Sequence, residues 1–143
     1  MEKIKQQYEV GGREGSAPHF KALLGFERLE SPEGSAIVEL KLRQEHCNFK
    51  GTVHGGVVMT LIDVAGYWAG VKKDVSEHIA STVSMNCSFL RGTGLAQTTS
   101  LRAEAQITKR GRSMYFSTIK VYACPGGEML ASGQGVFSVA QPR

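Results

Sequence analysis

Residues 54–73 read His54-Gly-Gly-Val-Val-Met-Thr-Leu-Ile-Asp-Val-Ala-Gly-Tyr-Trp-Ala-Gly-Val-Lys-Lys73, and the fold follows from this stretch. Val57, Val58, Leu61, Ile62, Ala65, Trp68 and Ala69 recur at the spacing that lines up apolar side chains on one helix face. The reading is one long helix from Gly55 to about Lys73. A lone amphipathic helix needs an apolar surface to cover.

The flanking segments supply it. Residues 35–43 alternate, with Ala36, Val38, Leu40 and Leu42 on one side and Glu39, Lys41 and Arg43 on the other. Beyond the helix, 79–90 alternate in the same way, with Val83, Met85, Cys87 and Phe89 opposite Thr82, Ser84, Asn86 and Ser88. Strands over 97–109, 113–124 and 128–139 follow, joined by the turns Arg110-Gly111-Arg112 and Pro125-Gly126-Gly127. A short helix over 19–24, stopped by Gly25, and a short strand over 26–30 come first. The expected class is α+β, an antiparallel sheet wrapped around one long central helix. It forms a single domain over 19–143, behind a flexible polar arm over 1–18.

Composition narrows the function. The 143 residues are 41% hydrophobic and 21% charged, as in ordinary globular chains. The net charge of +4 is modest and scattered; it suits an anionic ligand better than nucleic acid. Three cysteines without C-x-x-C spacing read as reduced thiols, and the polar N-terminus carries no apolar leader. No apolar run approaches the roughly 20 residues of a membrane helix. A cytoplasmic protein without membrane contact is expected, and no histidine–carboxylate set has metal-ligand spacing.

Two features of the helix bear on chemistry. His54-Gly55-Gly56 opens it, and the first amides of a helix lack internal acceptors and carry partial positive charge. Glycines there let a ligand oxygen come close, although the same doublet also suits a plain loop-to-helix transition. Asp63 sits mid-helix, a poor place for aspartate. It shares a face with Gly56, Thr60, Tyr67 and Gly70, which is either a solvated face or one that meets something. Gly55 and Asp63 lie ~12 Å apart along the axis, too far to act on one carbonyl from the same chain. Two antiparallel helices in a two-fold dimer would bring each glycine beside the other chain's aspartate.

Asn48-x5-His54-Gly55-Gly56-x6-Asp63, with its strand order over about residues 20–140, resembles the PaaI-type hotdog thioesterases of phenylacetate breakdown and those like thioesterase superfamily member 2. The resemblance implies a hotdog fold and hydrolysis of an acyl-CoA, a small aromatic or medium-chain one, by a homo-oligomer that is a dimer or a dimer of dimers. It implies that the Gly55 N–H binds the thioester oxygen and that Asp63 of the neighbouring subunit is base or nucleophile. Asn48 would position water or thioester, and His54 would orient the loop or polarise the carbonyl. Thr82 matches the family's supporting hydroxyl, with Ser81 as the alternative. Gly56 and Tyr67 would border the substrate, while Arg91, Lys109, Arg110 and Arg112 are candidates for the CoA phosphates or are basic turns kept for solubility. Tyr67 and Trp68 read as packing or acyl-pocket wall. No cofactor is implied, because CoA is part of the substrate. A hotdog acyl-CoA hydratase or dehydratase using His54 and Asp63, and a non-enzymatic acyl-CoA-binding protein, are the alternatives.

Overall fold

The computed structural model describes residues 19–72 and 80–139. The expected arm over 1–18, the segment 73–79 and the last four residues, 140–143, lie outside the described residues. In chain order the elements are α1 (Phe20–Leu24), β1 (Glu27–Leu29), β2 (Ser35–Lys41), a single 3-10 turn (Gln44–His46), α2 (Gly55–Ala69), β3 (Ala80–Phe89), β4 (Ser100–Arg110), β5 (Met114–Cys124) and β6 (Met129–Val139). The strands form one antiparallel sheet in the order β1-β2-β4-β5-β6-β3, with α2 packed on one face of it. This is the expected hotdog arrangement.

Alternation explains the packing. Ala36, Val38 and Leu40 of β2, Leu101 and Ala103 of β4, and Ile119 and Val121 of β5 are wholly buried, and each faces the helix stripe Val58, Leu61, Ile62, Ala65 and Ala69. Each large aliphatic side chain so buried contributes roughly 1.5–3 kcal/mol. The small residues on the facing strands let the helix settle close to the sheet.

The helix stops at Ala69, one turn short of the expected Lys73. Its end tightens, with Gly70 N–H donating to Tyr67 O (3.1 Å) and Val71 N–H to Trp68 O (3.2 Å). Two arginines of the sheet then hold the exposed carbonyls. Arg28 Nη2 donates to Trp68 O and Val71 O, both at 2.9 Å, and Arg110 Nη2 to Gly70 O at 2.6 Å. Cations at a helix C-terminus oppose its partial negative charge.

The alternation expected for β3 is broken once. Thr82 pairs with Phe137 and Ser84 with Val136, so Val83 is an extra, bulged residue. Strict alternation put Thr82 on the side opposite Met85, Cys87 and Phe89. The bulge turns it to their side, toward the helix, together with its buried partner Phe137.

Candidate active site

The loop before α2 is built from its own polar groups. Asn48 Oδ1 accepts from Lys50 N–H (2.9 Å) and Thr52 N–H (3.1 Å), and Asn48 N–H donates to Thr52 O (2.7 Å). Such turns are what asparagine favours. A second segment clamps this loop from outside: Thr52 pairs with Gly94, and Val53 N–H donates to Thr93 O (2.8 Å). A Cβ on Gly94 would run into the Gly51 carbonyl, so only glycine permits the approach. The Thr93 and Thr98 hydroxyls bond to each other beneath the clamp.

The helix start is resolved amide by amide. His54 N–H donates to His46 O (2.9 Å), and Gly56 N–H to His54 Nδ1 (3.0 Å). Val57 and Val58 N–H both reach His54 O, at 3.0 and 3.4 Å. Of the amides of residues 54–58, the Gly55 N–H is the one without an acceptor among the described residues. His54 is thus the N-cap through its ring, in the tautomer that carries its proton on Nε2. A side chain at Gly56 would press on that ring, 3.1 Å from Nδ1.

Beside Gly55 runs a cleft of about 270 Å³, lined by Val53, Val58, Phe89, Arg91 and Leu130 among others. The Phe89 ring stands 3.4 Å from where a Gly55 Cβ would be. A larger cavity of about 630 Å³ lies at the other end of α2, between Leu29, Pro32, Ala69, Ile107 and Arg110, and contains none of these groups. The smaller one borders the Gly55 N–H.

Two turns along α2, Asp63 is half-buried and accepts a 2.7 Å hydrogen bond from Thr82 Oγ1. The Val83 bulge makes this contact. Ser81, the alternative hydroxyl, pairs with Ser138 on the outer face of β3, away from the helix. Tyr67 is half-buried and meets Phe137 edge-on, with ring centroids 6.2 Å apart; burial raises its pKa. Its carbonyl accepts from Tyr115 OH at 2.6 Å. Burial also raises the Cys87 thiol, which keeps it protonated and poorly nucleophilic.

The structure therefore brings Gly55, His54 and Arg91 together at one end of α2, and Asp63 and Thr82 together farther along. The basic hairpin goes to the far end. The Arg110 guanidinium, proposed from sequence as a phosphate ligand, caps the helix and lies over the Tyr115 ring at 5.0 Å. Lys109 and Arg112 flank it in that hairpin. Sequence reasoning passed over His46, Phe89, Arg28 and Gly94. Gly94 in a Gly-x-Gly turn was the one visible hint of a close approach.

A family model described as the thioesterase superfamily matches residues 50–130, more than half of the chain, including α2 with Gly55 and Asp63. Human acyl-coenzyme A thioesterase 13 is 29% identical over 119 residues, covering 82% of this chain and 83% of its own. Zebrafish thioesterase superfamily member 2 superposes with a TM-score of 0.74 at 26% identity, over 87% of this chain and 88% of that one. PaaI of Escherichia coli, from the phenylacetic acid degradation operon, shares the fold, with a TM-score of 0.72 at 22% identity over 85% and 83%.

Proposed function

The chain belongs to the thioesterase superfamily, among its PaaI-like hotdog members, and we propose on that footing that it hydrolyses a small aromatic or medium-chain acyl-CoA to the free acid and CoA. The observation that carries the reading is the Gly55 N–H, the one amide at the helix start left without an acceptor. A carbonyl oxygen placed there gains charge as the thioester is attacked, and a fixed donor stabilises it most at that moment.

The second group is Asp63 of a neighbouring copy. Its carboxylate takes a proton from water while the water oxygen bonds to the thioester carbon. Collapse of the tetrahedral adduct breaks the C–S bond, and the departing sulfur is protonated. In the alternative route the carboxylate attacks the carbon itself and expels CoA as the thiolate, and water then hydrolyses the mixed anhydride to the free acid and restores Asp63. Thr82 holds it at the required angle. Asn48 keeps its Nδ2 for water or thioester, because its Oδ1 is occupied in the loop. Gly56, and Tyr67 of the neighbouring copy, border the acyl group. No cofactor enters the reaction. Arg91, at the cleft beside Gly55, receives the nucleotide phosphates. In a two-fold pair with antiparallel helices, Lys109 and Arg112 of the second copy approach the same cleft. Strand β3 supports such a pair, because it is a sheet edge with Val83 and Phe89 more than half exposed.

Thiol release from a panel of acyl-CoAs tests the reaction. Asp63→Asn should lose roughly 10²–10⁴-fold in kcat. Double-bond loss from an enoyl-CoA without thiol release would indicate a hydratase instead, and binding without turnover a carrier. Mixing Gly55→Pro with Asp63→Asn chains should restore about one site per dimer. Mixtures as inactive as their parents would remove the shared site.

A further inference from the structure

We infer that His46 is a positioning residue for the Gly55 N–H, coupling the end of α1 to the start of α2. The inference rests on the hydrolase reading and adds to it a residue outside the helix and its motif. His46 is 3% exposed, and every polar atom of its ring has a partner. Nδ1 accepts from Arg43 N–H at 3.0 Å, so Nε2 carries the proton and donates to Leu24 O at 2.8 Å. Its carbonyl accepts the His54 N–H at 2.9 Å, and its N–H closes the 3-10 turn on Arg43 O at 3.0 Å.

These bonds form a continuous line. Leu24 O holds the His46 ring, His46 O holds His54, and His54 Nδ1 holds Gly56. Gly55 lies between the last two anchors, so its amide direction is set by where His46 stands. Arg43 reinforces the first anchor from the surface, donating to Leu23 O at 2.7 Å and Leu24 O at 3.0 Å. A buried, fully bonded imidazole is a stiff spacer between two backbone segments. The partners it needs, one carbonyl and one amide on opposite sides, match a neutral imidazole in one tautomer only.

His46→Asn keeps a short acceptor for Arg43 N–H but cannot reach Leu24. His46→Gln keeps a distal N–H for Leu24 and loses the near acceptor. A donor that acts only in the transition state affects kcat and leaves KM alone, and a misplacement of about 1 Å can cost 10²-fold. We expect His46→Asn to lower kcat roughly 10- to 100-fold with KM within about twofold. His46→Gln should return to within about threefold of the parent. Arg43→Ala, at an exposed position, should move kcat the same way by less. Hydrogen exchange at the His54 amide should quicken in step with the loss of kcat. Variants that melt earlier yet keep the parental kcat and His54 protection would reduce His46 to a packing role and overturn this inference alone. A parent chain that releases no thiol from any acyl-CoA would overturn the hydrolase reading and this one with it.

Discussion

Replacing Thr82 by Val removes one oxygen and preserves the shape of the side chain. The hydroxyl donates to Asp63 Oδ1 at 2.7 Å. Hydrogen bonds to charged groups contribute about 1.5–3 kcal/mol. This one sits on an exposed strand where water can take the place of the hydroxyl, so the lower end, about 1.5 kcal/mol, applies. At about 1.4 kcal/mol per factor of ten, kcat should fall about tenfold. Val suits a strand as well as Thr does, so the melting temperature should fall by no more than the loss of that one hydrogen bond explains. Thr82→Ser should keep the rate within about threefold, and Ser81→Ala, altering the outer face, should leave it unchanged. The assay is thiol release at saturating acyl-CoA. Equal losses in Thr82→Val and Thr82→Ser would show that the methyl matters rather than the hydroxyl, and would refute the argument. A Thr82→Val rate within twofold of the parent would do so as well.

Two other perturbations read different parts of the molecule. Gly94→Ala drives a Cβ into the Gly51 carbonyl. The clamp must open, and we expect about a tenfold loss in kcat/KM from the displaced Asn48 loop; a variant with parental kinetics would separate the clamp from the site. Tyr115 is wholly buried, and burial first, then Tyr67 and Asp63 against the opposing Arg110, raise its pKa above the ordinary tyrosine range. The unfolded phenol loses its proton at about pH 10 while the folded one keeps it, so stability is full below that pH and falls as pH rises beyond it. Urea midpoints from pH 8 to 11 should therefore decline less steeply in Tyr115→Phe, and parallel slopes would contradict the assignment.

The sequence was legible where one short-range rule decides the outcome. Helical period identified α2, and period two identified β2 to β6, because burial of one face is written locally in residue order. Asp63 and the glycine doublet were visible for the same reason: each violates what a plain amphipathic helix would carry. The Val83 bulge was not visible. No residue among Thr82, Val83 and Ser84 marks it, and it exists only in the pairing of β3 with β6, two strands distant in sequence. The contact of Arg110 with the end of α2 was not visible from sequence, because a basic hairpin turn looks the same whether its guanidinium meets a phosphate or a helix carbonyl 40 residues away. His46 was hidden similarly. Its two ring partners, Arg43 and Leu24, lie on different elements, and only their meeting makes the histidine distinctive.

Both halves of the proposed site arise from bonding that is complete elsewhere. At the start of α2 every neighbouring amide is taken, which leaves Gly55 as the sole donor facing outward from a glycine pair. On the same helix, the Asp63 carboxylate is tethered by a strand residue that reaches it through a bulge. About 12 Å of rigid helix separates the two, and loop motion cannot shorten a helix. A thioester carbonyl with its attacking water spans much less than that. Reaction at one carbonyl thus requires either that one group be a bystander or that a second helix overlap the first in the opposite sense. The face bearing Gly56, Thr60, Asp63 and Tyr67 is the least covered of α2, and β3 beside it ends the sheet with its edge unpaired. An antiparallel second copy would cover that face, extend that edge and join the two half-sites in one step.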